Sequence, residues 1–136
     1  ISLLCQKLNI SVYDVLETAS TKWNFLPFQP GLVGGHCIGV DPYYLAYIAK
    51  KLGSSADVIL SGRRLNDNMT SIIFKKIEKQ VSLKSRILQI GISFKENVPD
   101  IRNSKAAELA KQFITKKYKI DIYDPVVNSL EVNHTF

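Results

Sequence analysis

Past Leu83 the chain changes texture in a way that few folds accommodate. Arg86-Ile87-Leu88-Gln89-Ile90-Gly91 is a short apolar run closed by glycine. A loop follows, then apolar residues at helical spacing from Ser104 to about Lys117, then Lys119-Ile120-Asp121-Ile122-Tyr123-Asp124-Pro125. Strand, helix and strand in that order form a βαβ unit opening a parallel sheet. One such unit cannot cover both faces of its sheet, so the domain that starts near Arg86 is expected to be incomplete at Phe136.

The preceding residues read as helices. Ile1 to Leu8 is amphipathic with neither an initiator Met nor an N-cap, the expectation being a chain cut from something longer. Ser11, with Asp14 three residues on, is placed to cap a short second helix. Thr21 to Gly39 should be loop, Pro42 to Leu52 a helix stopped by Gly53, and Ala56 to about Val81 one long helix interrupted by Gly62 and by Asn66-Asp67-Asn68. The expected fold is α/β overall: a mostly helical domain over residues 1–82, then a βαβ unit opening a parallel sheet over 83–136. An apolar fraction of 46% in 136 residues is enough to bury a core.

Within the loop, residues 29 to 45 read Gln-Pro-Gly-Leu-Val-Gly-Gly-His-Cys-Ile-Gly-Val-Asp-Pro-Tyr-Tyr-Leu. Gly34 and Gly35 let the backbone turn and approach a ligand closely. Cys37 would sit where the loop enters a helix beginning near Asp41-Pro42, a place where exposed amides and the helix dipole favour a thiolate. His36 is adjacent, but neighbours in an extended loop point apart, so the two are not read as a pair. Residue types alone leave two readings: a reactive thiol, or a small apolar side chain buried beside a turn.

A second constellation follows the first strand, Ser93-Phe94-Lys95-Glu96-Asn97-Val98-Pro99-Asp100-Ile101-Arg102-Asn103-Ser104. In open α/β sheets ligands lie beyond the carboxyl ends of the strands, where this loop belongs. Lys95, Arg102 and the helix start at Ser104 suit phosphates. Equally open is an exposed Asp100–Arg102 pair with Lys95 merely solvated. No G-x-G-x-x-G follows a strand and no Walker-type loop occurs, so any nucleotide site on this chain is partial.

Composition removes other classes. Cys5 and Cys37 lie far apart, and His36 and His134 do not cluster with them, which argues against zinc or a disulfide framework and for a reducing cytoplasm. No leader and no membrane-length apolar run is present, so neither secretion nor membrane insertion is expected. The net charge of +6 is spread along helical faces without a basic run or an aromatic RNA motif, so a nucleic-acid partner is not expected.

Lys22-Trp23-Asn24-Phe25-Leu26-Pro27-Phe28, Gly31 to Leu45, Ser61 to Met69, Phe94-Lys95-Glu96-Asn97 with Asp100 to Ser104, and Tyr123-Asp124-Pro125 together resemble the UDP-glucose/GDP-mannose dehydrogenase family. The resemblance covers nearly the whole chain, in order. It implies a three-part enzyme: an N-terminal Rossmann domain for NAD, a helical central domain that makes the homodimer, and a C-terminal Rossmann-like domain for the UDP-sugar. This chain would hold most of the second part and the start of the third. The NAD domain and the family's catalytic lysine and asparagine would lie outside it, leaving the chain by itself a dimerisation module.

The implied reaction takes C6 of a nucleotide sugar from alcohol to carboxylate in two hydride transfers. By this resemblance Cys37 matches the nucleophile, and Asp41 the carboxylate that handles water and protons. Phe25, Leu26, Gly34, Gly35, Phe94 and Lys95 match sugar-nucleotide contacts, and Arg102 an arginine reaching the phosphates of NAD. His36 and Val40 stand where the UDP-glucose branch has Ser and Lys. That resembles instead the branch oxidising UDP-N-acetylhexosamines for bacterial O-antigen or capsule, with the gluco or galacto epimer favoured over manno and UDP-glucose as the alternative.

Overall fold

The computed structural model describes residues 1–129 and 132. His134 and the remainder of the chain lie outside the described residues. Two compact units divide the chain, residues 1–31 and residues 32 onward.

The first unit holds α1 (Ser2–Leu8) and α2 (Val12–Ser20). Asn9 ends α1 in the left-handed region at φ 54°, and the amides of Asn9 and Ile10 return to the carbonyls of Gln6 and Cys5. This is the paired cap that asparagine tolerates better than branched residues do. Ser11 then opens α2, its hydroxyl accepting from the Asp14 amide at 3.3 Å, as the sequence predicts. Cys5 is buried, whereas α2 buries no residue.

The second unit contains α3 (Cys37–Lys51), α4 (Asp57–Glu78), β1 (Arg86–Ile90), α5 (Lys105–Thr115) and β2 (Lys119–Tyr123). β1 and β2 are parallel, with Arg86 opposite Lys119 and Ile90 opposite Tyr123. The expected βαβ unit is present. Alternate strand residues, including Ile87 and Ile120, turn towards a core made by Phe74 of α4, Leu109 and Phe113 of α5, and Tyr118. The rings of Phe113 and Tyr118 meet edge to face at 5.5 Å, and those of Phe74 and Phe113 at 4.8 Å with a tilt. Leu88, Ile90 and Tyr123 of the strands are exposed.

Two expectations change. The third helix begins at Cys37, not near Pro42, and Pro42 lies inside it. In the second turn Pro42 forfeits the amide bond to the Ile38 carbonyl and its ring crowds that oxygen, a local cost that the helix carries without ending. The long helix α4 is also unbroken through Gly62 and Asn66-Asp67-Asn68. A single interior glycine costs only about 1 kcal/mol, and Asn66 and Asp67 find partners outside their own helix.

Beyond the strand ends, two polar side chains fix the loops. Ser104 caps α5 by accepting from the Ala107 amide at 3.2 Å while donating to the Ile92 carbonyl at 2.7 Å. Asp124, after β2, accepts from the amides of Ile92 (2.8 Å), Ser93 (3.3 Å), Val126 (2.9 Å) and Val127 (3.2 Å). Partial burial works to raise this carboxyl, but the four amide bonds outweigh it and hold it below the usual range.

Asp124→Asn should therefore destabilise the protein by about 1–3 kcal/mol, since one carboxylate oxygen becomes a donor facing donors. Because the folded-state value is depressed, this stabilisation is complete above the unfolded value near ~3.9 and disappears as pH falls through the folded value. Urea midpoints for wild type and variant should differ at pH 7 and converge as pH falls below the depressed folded-state value of Asp124. An equal gap on both sides of that value would assign the effect to something other than the charge.

Candidate active site

Cys37 is exposed at the first position of α3. Because the helix starts there, Asp41 stands four residues on, about one turn away and on the same side of the helix. Both line an open cleft of about 630 Å³, whose apolar wall includes Ile38 and Leu45 of α3 with Val58 and Ile59 of α4. His36 precedes the helix and makes no side-chain cap bond.

The glycine loop before Cys37 lies directly on the loop that follows β1. The Gly35 amide donates to the Asn103 carbonyl at 3.2 Å. A Cβ on Gly34 would fall 2.6 Å from that same oxygen, and one on Gly35, where φ is +89°, would fall 2.9 Å from the Phe94 ring. Only residues without side chains permit this approach. The two constellations legible in the sequence are thus brought together, Gly34 and Gly35 on Phe94, although some sixty residues separate them.

Lys95 is exposed, and the Ser93 hydroxyl donates to its carbonyl at 3.0 Å. Arg102 is 85% exposed and binds Asp100 side-on, with Nη2 to Oδ2 at 2.6 Å and Nε to Oδ1 at 3.0 Å. Side-chain and backbone hydrogen bonds from Arg102 hold the Asp100 carboxyl down at about 2. The exposed ion pair read from the sequence exists, and it fixes the orientation of a guanidinium at the strand-end loop. An oriented, exposed guanidinium fits the phosphate of a dinucleotide such as NAD. Phe25, half-buried, and Leu26, exposed, belong to the first unit.

Sequence reasoning missed a polar cluster behind the cysteine helix. Asp67 of α4 accepts from the Tyr43 hydroxyl at 2.7 Å and from Arg63 Nη2 at 3.0 Å, with Lys105 Nζ at 3.5 Å. Lys105 also meets Glu108 at 2.9 Å. Burial works to raise the Asp67 carboxyl, but the Tyr43 bond and the charges of Arg63 and Lys105 outweigh it and hold it low. The bond to Asp67, with burial, pushes the Tyr43 hydroxyl up. The adjacent Asn66 donates to the Val33 carbonyl at 2.9 Å. The cluster's signal in the sequence was the Asn66-Asp67-Asn68 stretch, with Arg63 one turn earlier, inside an amphipathic helix.

Among the described residues no group of three or more His, Cys, Asp or Glu side chains is placed to hold a metal ion, and no helix is long and apolar enough to cross a membrane.

Residues 1–68 match the model of the UDP-glucose/GDP-mannose dehydrogenase family central domain, and residues 88–136 that family's UDP binding domain. The chain is 44% identical, over its full length, to UDP-N-acetyl-D-glucosamine 6-dehydrogenase of Salmonella typhi, of which it covers 33%. It is 42% identical over 98% of its length to protein CapL of Staphylococcus aureus, covering 32% of that protein. Among solved structures, UDP-D-ManNAc dehydrogenase of Pyrococcus horikoshii superposes with a TM-score of 0.79 at 30% identity, over 93% of this chain and 31% of that one. The chain spans about a third of the length of these relatives.

Proposed function

As the chain belongs to the UDP-glucose/GDP-mannose dehydrogenase family, we propose that the intact protein oxidises C6 of a UDP-N-acetylhexosamine from alcohol to carboxylate. The observation that carries the reading is the exposed Cys37 at the head of α3, with Asp41 one turn on.

Cys37 attacks the C6 aldehyde produced by the first oxidation, its thiol proton passing to the new hydroxyl, and gives a thiohemiacetal. Loss of a second hydride and the hydroxyl proton leaves a thioester on Cys37. Water attacks that carbonyl, the C–S bond breaks, and the acid departs as the thiol is restored. Asp41, reaching the same cleft, orients this water and takes its proton. NAD, when bound, supplies the two hydride acceptors, with Arg102 directed to its phosphates. Gly34, Gly35, Phe94 and Lys95 hold the UDP-sugar, with the glycines allowing their loop to pack directly on the loop after β1.

The domain division follows the same reading: a central domain over 1–82 and a UDP-sugar domain over 83–136. The exposed Tyr44, Tyr47 and Ile48 on α3 support a homodimer made through the central domain. We place the enzyme in the cytoplasm, supplying bacterial surface polysaccharide such as O-antigen or capsule. The gluco epimer is the preferred substrate, supported by the 44% identity to a dehydrogenase named for UDP-N-acetyl-D-glucosamine.

Incubating the intact protein with NAD and separate UDP-sugars tests this. UDP-N-acetylglucosamine should give the acid and two NADH per sugar. Turnover of UDP-glucose alone would move the protein to the other branch, and no NADH from any UDP-sugar would remove the reading.

A further inference from the structure

Two neighbouring residues of α4 grip the chain on either side of Cys37. Asn66 holds the Val33 carbonyl, four residues before the cysteine, and Asp67 holds the Tyr43 hydroxyl, six residues after it. Tyr43 and Cys37 lie about 120° apart around the axis of α3, so a bond at Tyr43 fixes the helix's rotation. The bond to Val33 separately fixes the approach of the glycine loop. Together they leave Cys37 little freedom to turn or slide.

Asp67 is itself held by a side chain that is hard to move. The Arg63 side chain is only 9% exposed, and its Nε is buried without a hydrogen-bond partner among the described residues. Its ion pair with Asp67 is the charge compensation that burial demands. Lys105, from α5, approaches the same carboxylate and is 17% exposed. The carboxylate therefore joins α3, α4 and the first turn of α5, which directly follows the Phe94 to Asn103 loop.

We propose that Asn66 and Asp67 are positioning residues that set Cys37 against the reacting carbon, acting on the second oxidation rather than on substrate binding. The inference rests on the role of Cys37 given above. Sulfur participates only once the aldehyde exists, so a displaced thiol slows conversion of aldehyde to acid while the first hydride transfer continues. A displacement of about 1 Å can reduce such a step about a hundredfold.

The test uses the intact protein carrying Asp67→Asn, Tyr43→Phe, or both. Tyr43→Phe removes one exposed hydroxyl and keeps the charge pair, so it reports even if Asp67→Asn folds poorly. Acid formation from UDP-N-acetylglucosamine should fall about tenfold in Tyr43→Phe and further in Asp67→Asn. NADH per sugar should drop below two, KM should change less than about twofold, and the double variant should lose less than the product of the two single effects. Wild-type acid formation with two NADH per sugar in Tyr43→Phe, or a rise in KM alone, would overturn the proposal. The rate of iodoacetamide labelling at Cys37, read by mass spectrometry, gives a measure independent of turnover. If wild type oxidises no UDP-sugar the functional reading fails, while a changed labelling rate in folded Tyr43→Phe would still support control of the thiol's setting and an unchanged rate would refute it.

Discussion

Cys37→Ser in the intact protein is expected to cut acid production by about a thousandfold or more, while affinity for the UDP-sugar stays within about twofold. The substitution changes one atom on an exposed side chain at the head of α3, so the fold has little to lose. Chemistry loses a great deal. An alcohol is a far weaker nucleophile near neutral pH than a thiol that is partly ionised. An oxygen ester is also a less reactive acyl group towards water than the thioester it replaces. Acid measured by mass spectrometry and binding measured by calorimetry separate the two effects. Acid formation near the wild-type rate would remove Cys37 from the mechanism, and loss of binding in parallel would make the residue structural.

Gly34→Ala should lower stability by about 2–3 kcal/mol and weaken UDP-sugar binding at the same time. An added Cβ would lie 2.6 Å from the Asn103 carbonyl oxygen, 3.3 Å from the Lys105 amide and 3.3 Å from Phe94 Cβ. None of these is the free end of a flexible side chain. Relief requires the glycine loop to lift from the strand-end loop, which breaks the Gly35–Asn103 hydrogen bond and uncovers Phe94. Gly31→Ala is the matched control, because nothing lies within 4 Å of a Cβ there. Chemical denaturation of both variants decides the matter: equal midpoints would mean that the contact at Asn103 yields easily.

Much of this arrangement was legible because it is local. Ser11 and Ser104 announce helix starts through short-range bonds to the third amide ahead, and the strand, helix, strand order follows from periodicity alone. The start of α3 was misread because proline is a common first helical residue, whereas Pro42 is carried inside. That error matters, since it is the helical start at Cys37 that puts Asp41 on the same side. Pairings across long separations were not legible: Gly34 with Asn103, Asn66 with Val33, Asp124 with Ile92. Each depends on which surfaces meet after folding, and no periodicity records that. The polar stretch in α4 was visible, but without its partners it read as a weak point in a helix when it is where the helix is fastened.

The uninterrupted course of α4 has a mechanical consequence. Its 22 residues make a rod about 33 Å long, fastened near its middle, at Asp67 and Asn66, to the cysteine helix by Tyr43 and to the glycine loop by Val33. Towards its C-terminal end Phe74 is set among the rings beside the sheet. An unbroken helix has no joint between these two attachments. Displacement of the ring cluster at Phe74 is therefore passed along α4 to the contacts that set the cysteine helix, and compliance around the rod is left to the turns at residues 52–56 and 79–85.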